Sequence, residues 1–210
     1  MEKDLKNYTK TLYVVDMVKG FVTEGVMHDE YIGHTIEEQI KLIKKFKNET
    51  QGVALIKDNH EKECVEFATF PPHCVIGTSE ADLVDELQEY EEDSLVYAKN
   101  STSAMFAPGL INDINEMKNL KEVVVVGCCT DICILNFVVP LKNYFNQVDK
   151  NVKIFVVESA TETYGAPNHN RDEYNEMAYK LIKQSGVEVV KNLKELEERE
   201  NKLGLKKGGR

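Results

Sequence analysis

Three of the five cysteines in this 210-residue chain lie within six positions of one another. Cys128 and Cys129 follow a run of four valines and a glycine, and Cys133 comes four residues later. Such a cluster could have one of three roles: packing as small apolar side chains, binding a metal, or supplying a nucleophilic thiol. Cys128 extends the apolar run and suits packing. A four-ligand zinc site would need further partners, such as Cys64 and Cys74, to be supplied by the fold.

Cys133 is the candidate for chemistry. Thr130 is a typical N-cap residue, so a helix is predicted to begin there with Cys133 in its first turn. A helix N-terminus favours a thiolate, and its free N–H groups can bind an oxyanion. Lys99 and Asp16 each end a predicted strand. The lysine would lower the pKa of a nearby thiol, and the aspartate could accept its proton. Cys133 is therefore a candidate nucleophile.

A second group of residues suits a divalent metal. Asp58 and His60 end a predicted strand, and His73 follows a loop that contains Glu66. One carboxylate and two imidazoles can hold Zn²⁺, Mn²⁺ or Fe²⁺ with positions left for water and substrate, and Glu66 could supply a further oxygen. The remaining histidines show no partner pattern and are interpreted as surface or packing residues: His28, His34 and His169.

The elements that must position these residues alternate along the chain. Short β-branched runs indicate six strands, at 11–18, 52–58, 94–100, 121–127, 151–159 and 187–190. Helical patterns lie between them, at 34–49, from Thr130 onward and at 171–186, and Pro140 is expected to bend or end the second of these. This order predicts one doubly wound, Rossmann-like α/β domain with a six-stranded, mostly parallel sheet and helices on both faces. The polar strand ends then meet at one sheet edge.

Charge and composition narrow the class of partner. The formal net charge of −10 disfavours nucleic-acid binding. No run approaches the ~20 apolar residues of a membrane span. The N-terminus has no apolar signal region, and the odd cysteine count does not resemble a disulfide framework, so a cytoplasmic location is expected. The domain is predicted over 1–190. A charged tail at 191–210 follows, which is expected to be helical or frayed, and a homo-oligomer is possible.

The chain resembles the isochorismatase-like cysteine hydrolases. Residues 15–18, with Phe21 five positions after the acid, are similar to the family's first-strand motif. Lys99 precedes the small-residue and aromatic segment 103–106. Residues 127–133 match a glycine, two residues, then T-D-x-C. The resemblance implies a catalytic triad of Asp16, Lys99 and Cys133, a cis peptide between Cys128 and Cys129, and an oxyanion hole made by the amides of Cys129 and Cys133.

Within this family, the metal residues resemble those of nicotinamidases, which hydrolyse nicotinamide to nicotinate and ammonia in NAD salvage. The resemblance implies a divalent ion, Zn²⁺ first, with these ligands: Asp58, His60, Glu66 and His73. It also implies that Phe21 and Phe70 flank the pyridine ring. Two features depart from the family pattern: an adjacent cysteine pair precedes T-D-x-C, and Phe70 stands where many relatives have tryptophan.

Three other interpretations stay open from the sequence. The chain could be a metal-independent amidase or isochorismate-type hydrolase of the same family. It could be a binding or scaffold protein that has lost activity, although it keeps all three catalytic residue types. It could also be a zinc- or redox-sensing module built on Cys128, Cys129 and Cys133.

Overall fold

A computed structural model describes residues 4–204, and a six-stranded sheet forms its centre. The strand order is β3-β2-β1-β4-β5-β6, and every pair of neighbours is parallel. This confirms the predicted doubly wound α/β class, with a sheet that is wholly rather than mostly parallel. The strands are β1 (Lys10–Val15), β2 (Gly52–Asp58), β3 (Leu95–Lys99), β4 (Glu122–Cys128), β5 (Lys153–Glu162) and β6 (Glu188–Val190).

Helices cover both faces of this sheet. The α-helices are α1 (Lys19–Val22), α2 (Ile36–Asn48), α3 (Asp85–Gln88), α4 (Leu110–Glu116), α5 (Leu135–Gln147), α6 (Arg171–Gln184) and α7 (Leu193–Lys202). Short 3₁₀ turns lie at Leu5–Asn7, Glu30–Thr35, Val65–Ala68, Ser79–Ala81 and Ala104–Phe106, and a π-helical turn lies at Thr130–Ile134. Within residues 4–204, no helix is both long and apolar enough to cross a membrane.

The core forms two layers because alternate residues of each strand point to opposite sheet faces. Leu12 and Val14 of β1 pack in the layer that contains Phe46 of α2. Tyr13 and Val15, the alternating neighbours, pack in the layer built largely from α4, α5 and α6. Burial on both faces explains why the strands are continuous apolar runs rather than alternating ones.

The sheet order reverses direction between β1 and β4, which makes the gap beyond their carboxyl ends the expected place for a site. Gly127 of β4 allows the two strands to come together there. Its φ is +115°, and a Cβ at this position would lie 2.0 Å from the backbone oxygen of Val15. Any side chain at Gly127 would therefore push the two strand ends apart.

The helix after β4 begins one residue away from the expected position. Cys129, not Thr130, occupies the N-cap position, and Thr130 begins the π-helical turn that leads into α5. Of the two effects expected of Pro140, a bend or an end, the end does not occur, because Pro140 lies inside α5. Pro140 has no N–H to donate to the carbonyl of Asn136. The hydroxyl of Ser103 donates to that carbonyl instead, at 2.6 Å, so the carbonyl stays paired.

The charged tail contains α7, which packs onto the domain. Leu196 is fully buried in the same layer as α2. Glu200 is also fully buried, and its carboxylate accepts hydrogen bonds from Lys10 at 2.7 Å and Lys45 at 3.2 Å. The helical part of the tail therefore closes one end of the sheet. The rest of the predicted tail, 205–210, lies outside the described residues.

Candidate active site

Lys99 lies at the centre of a buried group of polar side chains beyond the strand ends. The β2–β3 register pairs it with Asp58, and its ammonium lies 2.7 Å from Asp58 Oδ1. The same Nζ is 2.9 Å from Asp16 Oδ2 and 3.8 Å from Cys133 Sγ. Burial alone would lower the pKa of Lys99, but the charges of Asp16 and Asp58 outweigh it and hold the pKa well above its ordinary value. The structure thus brings together the three residues predicted as a triad.

Asp16 follows β1 in a left-handed backbone conformation, with φ of 54°. This conformation is uncommon for a residue other than glycine, and such residues cluster at functional sites. Its side chain is fully buried. Burial raises the pKa of Asp16 to about 6, and the positive charge of Lys99 opposes that rise. A carboxyl with a pKa near 6 can both accept and return a proton near neutral pH.

Cys133 lies in the π-helical turn after β4, with only 6% of its surface exposed. Its thiol differs from the sequence expectation, which was a pKa lowered by Lys99. Burial raises the pKa of Cys133 well above its ordinary value, and the ammonium of Lys99 reduces that rise without reversing it. The thiol therefore needs a base beside it, and Asp16 lies in contact with it.

The turn before Cys133 has the backbone that the family resemblance implies. The peptide bond between Cys128 and Cys129 is cis. The carbonyl of Cys129 accepts from the amides of Ile132 and Ile134, each at 3.1 Å. The use of the Cys129 and Cys133 amides as an oxyanion hole stays a prediction.

Asp58, His60 and His73 form the candidate metal centre. All three are buried, and their ligand atoms lie within 4.8 Å of one another. His60 Nε2 is 3.1 Å and His73 Nε2 is 3.3 Å from the oxygens of Asp58. Within residues 4–204, His60 Nε2 makes no hydrogen bond of acceptable geometry. A buried nitrogen without a hydrogen bond, beside a carboxylate and a second imidazole, fits a divalent cation.

The far nitrogens of both histidines have partners that orient the rings toward this centre. His73 Nδ1 lies 2.8 Å from the carbonyl of Pro71, so it carries the hydrogen and leaves Nε2 as the ligand atom. His60 Nδ1 lies 3.3 Å from Asn100 Oδ1 and 3.4 Å from Cys64 Sγ. Burial would lower the pKa of His60, but the adjacent carboxylate of Asp58 outweighs it and raises the pKa to about 9. A cation therefore has to displace that proton.

Glu66, the fourth residue predicted as a metal ligand, lies outside this cluster of three. Its carboxylate accepts from the amide of Thr102 at 2.8 Å and from the hydroxyl of Thr102 at 3.0 Å. Each oxygen therefore has a partner, which binds the loop carrying Glu66 to the segment after Lys99. Glu66 still faces the cavity beside the cluster.

A cavity of about 630 Å³ opens above these residues. Its lining includes Asp58, His73, Cys129 and Cys133, as well as both aromatic side chains predicted to flank a ring, Phe21 and Phe70. Phe21 and Phe70 lie 5.4 Å and 6.3 Å from the ring of His73, measured between centroids. The cavity thus places the thiol, one edge of the metal centre and two aromatic walls around one space, large enough for a small-molecule substrate.

Several residues of the site are not predicted from the sequence. Phe67 packs edge-on against the rings of His60 and His73, at 5.3 Å and 5.6 Å. Asn100 orients His60, and its position directly after Lys99 was the available signal. Tyr164 lines the cavity, and His169 pairs with Asp131 only because a later loop folds back over the nucleophile turn. No local pattern in the sequence announces that pairing.

The chain is a doubly wound α/β protein with a buried Asp–Lys–Cys group at the switch point of its sheet. The chain belongs to the isochorismatase family, because the model of the isochorismatase domain matches residues 10–192. It is 30% identical to nicotinamidase 1 of Arabidopsis thaliana over 87% of this chain and 85% of that protein.

Solved structures support the same fold. A pyrazinamidase/nicotinamidase from Streptococcus mutans UA159 superimposes with a TM-score of 0.73 at 24% identity, over 86% of this chain and 99% of that one. A pyrazinamidase of Pyrococcus horikoshii in complex with zinc superimposes with a TM-score of 0.70 at 21% identity, over 87% of this chain and 99% of that one. At these identities the structures establish the fold alone.

Proposed function

We propose that this protein is a nicotinamidase, which hydrolyses nicotinamide to nicotinate and ammonia through a thioester on Cys133. The observation that carries the proposal is the position of Lys99. Its ammonium contacts Asp16 and Cys133 on one side and Asp58 of the candidate metal centre on the other. The nucleophile and the ring-binding centre therefore share one wall of one cavity. The likeness to nicotinamidase 1 of Arabidopsis thaliana supports this substrate.

The ring would enter between Phe21 and Phe70, which offer two apolar faces to a flat aromatic molecule. Asp58, His60 and His73 would hold a divalent ion, Zn²⁺ from the donor set or else Mn²⁺ or Fe²⁺, which when bound would supply a Lewis acid to orient and polarise the ring. With the ring held between the two aromatic side chains, the carboxamide would face Cys133. Bringing the two reacting groups together in this way lowers the entropic part of the barrier.

Acylation would begin with proton transfer from the Cys133 thiol to Asp16. The thiolate then attacks the carboxamide carbon, and the positive charge of Lys99 stabilises the ionised pair. The amides of Cys129 and Cys133 would donate to the oxygen of the tetrahedral intermediate, where a single such donor is typically worth about 3 kcal/mol. Asp16 returns its proton to the leaving nitrogen, the C–N bond breaks, and ammonia departs.

Deacylation would use the same groups in reverse. Asp16, again a carboxylate, accepts a proton from a water molecule that attacks the thioester carbon. The C–S bond breaks, nicotinate forms, and the thiolate of Cys133 takes up the proton. The raised pKa of Asp16, about 6, suits both halves of this cycle.

The experiment is ammonia release from nicotinamide by the wild-type protein, Cys133→Ala and Cys128→Ala. We expect Cys133→Ala to abolish release while folding and metal content stay unchanged. Cys128→Ala is the matched control, because its thiol is fully buried, does not line the cavity and donates to the backbone carbonyl of Asp16 at 3.2 Å. The control should keep activity. Substantial release by Cys133→Ala would show that the nucleophile is wrongly assigned.

A further inference from the structure

Asp131, two residues before the candidate nucleophile, is joined to a segment that follows β5. Its Oδ1 accepts from the hydroxyl of Thr163 at 2.5 Å, and its Oδ2 lies 2.8 Å from Nε2 of His169. The other ring nitrogen of His169, Nδ1, lies 2.9 Å from the carbonyl of Tyr164. His169 is buried, with 7% of its surface exposed. These contacts connect the turn that carries Cys133 to the cavity wall formed by Tyr164, Gly165 and Ala166.

The partners of His169 determine its hydrogen count. A backbone carbonyl and a carboxylate are both acceptors only, so each ring nitrogen facing one must carry a hydrogen. Both hydrogen bonds can form together only when both ring nitrogens carry a hydrogen. The ring is stacked between Tyr164 at 3.9 Å and Tyr174 at 3.7 Å, and aromatic faces stabilise a cation placed between them.

The opposite side of the same wall is anchored separately. The amide of Gly165 donates to Asp29 Oδ2 at 2.9 Å, and Arg171 contacts the same carboxylate oxygen. Arg171 Nε also donates to the carbonyl of Thr163 at 3.0 Å. The Asp29 side is therefore fixed independently of His169. The side that faces the nucleophile turn is held by the His169 ring together with the Thr163 hydroxyl on Asp131 and the backbone pair between Ala166 and His169.

We propose that His169 is a positioning residue that acts through Asp131: in its doubly protonated form it holds the wall segment Thr163–Ala166 against the Cys133 turn and so sets the fit of the substrate ring. The inference rests on the proposed function, because it assigns the wall to binding of that substrate. His169 is not among the residues that line the cavity, so its effect falls on affinity rather than on the chemical step.

Three side chains face the His169 ring. They are Asp131 from the nucleophile turn, Tyr164 from the wall and Tyr174 from α6. Burial, followed by the charge of Asp131, raises the pKa of Tyr164, so that phenol stays neutral as the pH is raised. A His169 ring with a single hydrogen could keep only one of these two hydrogen bonds, and its hold on the wall would weaken.

The test compares KM and kcat for nicotinamide across pH in the wild type, His169→Gln and His34→Gln. Glutamine can donate to Asp131 but carries no charge and cannot donate to both acceptors. We expect His169→Gln to raise KM roughly tenfold at low pH, the loss expected for one charge-assisted hydrogen bond, with kcat within about threefold of wild type. The difference in KM should shrink as the pH rises. Asp16 and Cys133 titrate in both proteins, so the ratio of KM values isolates His169.

His34→Gln is the matched control, because His34 is exposed and has no contact with Asp131. Its Nδ1 donates to the carbonyl of Tyr31, and its Nε2 lies 3.7 Å from the carboxylate of Glu162, beyond hydrogen-bond distance. It should leave KM unchanged at every pH. An unchanged KM in His169→Gln, or a fall in kcat with KM unchanged, would overturn the proposal.

A second readout separates this inference from the proposed function. Nitrogen NMR of histidine-labelled protein, assigned with His169→Gln, reports how many ring nitrogens of His169 carry hydrogen. We expect two at low pH and a loss of one as the pH rises. A neutral ring throughout would overturn the inference whatever the activity. If the wild type fails to hydrolyse nicotinamide while the NMR shows the doubly protonated ring, the proposed function is wrong. The link that His169 makes between Asp131 and the wall is then still supported.

Discussion

The two ends of strands β1 and β4 carry buried charges of the same chemical types, yet only one end has the form of an active site. At the amino end, Lys10 of β1 lies beside Glu122 of β4, and both meet Glu200 of α7. At the carboxyl end, Asp16 follows β1 and meets Lys99 and Cys133. Each end therefore combines buried lysine and carboxylate, and the residue types alone do not distinguish them.

The difference lies in what covers each cluster. At the amino end, α7 closes the sheet, and Glu200 pairs with Lys10 at 2.7 Å and with Lys45 at 3.2 Å. At the carboxyl end, the cavity of about 630 Å³ exposes the Cys133 thiol and an edge of Asp58 to a small molecule. A buried ionic cluster is thus weak evidence for function, and access to a cavity is the stronger sign.

The largest contrast should come from replacing the lysine at each end. Lys99→Met leaves two buried carboxylates without a cation and removes the charge beside Cys133, so we expect ammonia release to fall by more than about 1,000-fold. Lys10→Met should cost about 3 kcal/mol of unfolding free energy but leave the activity of the folded enzyme unchanged. Urea unfolding and ammonia release measure the two effects. If the folded Lys10→Met variant loses activity, the amino end also contributes to catalysis and the proposed difference between the two ends is wrong.

Removal of a metal ligand should affect only the carboxyl end. His73→Gln replaces a ligand nitrogen, and we expect metal affinity to fall by more than about 100-fold, since even indirect partners of a metal ligand are worth 10–100-fold. Elemental analysis after dialysis against a weak chelator measures the loss. His28→Gln is the control, because this exposed histidine lines the cavity but lies outside the cluster of three. Equal metal content in both variants would contradict the assignment.

At the amino end, we expect pH to change the unfolding free energy of the protein and not its catalytic reaction. Burial and the facing carboxyl of Glu200 raise the pKa of Glu122 to about 8. The folded protein therefore keeps a proton that the unfolded chain releases above its ordinary pKa. This contribution to stability is complete at low pH and is lost as the pH rises toward 8. Glu200 has a lowered pKa and offsets part of the loss.

Glu122→Gln should remove most of that pH dependence. We expect its unfolding free energy to vary less between pH 5 and 8 than that of the wild type, by on the order of 2 kcal/mol. Urea unfolding at several pH values measures the slope, and ammonia release should stay unchanged. A slope identical to that of the wild type would show that Glu122 is ionised in the folded protein.

The smallest expected effect tests whether Glu66 belongs to the metal centre. Glu66 already accepts two hydrogen bonds from Thr102, so Glu66→Gln should weaken metal binding by less than about tenfold. The same dialysis and elemental analysis apply, with His73→Gln as the reference. A loss as large as that in His73→Gln would instead make Glu66 a ligand.

The polar cluster at the carboxyl end could be predicted from the sequence better than the cluster at the amino end, for a physical reason. Asp16, Asp58 and Lys99 each follow an apolar run, and parallel strands bring such positions to one edge regardless of the details of packing. Glu200 lies 190 residues after its partner Lys10, in a tail whose charged pattern resembles an exposed helix. Its burial depends on how α7 docks, which no local periodicity encodes.

The same limit applies within the site. Pro140 correctly signals a missing hydrogen bond, but the helix continues because Ser103, from a distant loop, pairs with the freed carbonyl. The direction of the Cys133 pKa also depended on burial, which the sequence did not give. His169 is a similar case, since its partner Asp131 is 38 residues away. Residue types and strand order predict which groups meet. Packing between segments that are distant in the sequence decides their hydrogen bonds and charge states.

The most direct test of the account is ammonia release from nicotinamide before and after the metal is removed with a chelator. We expect release by the purified protein, its loss on removal of the metal, and its return with Zn²⁺, Mn²⁺ or Fe²⁺. That result would support the thiol and the metal centre together. No release from nicotinamide with the metal restored would contradict the proposed substrate.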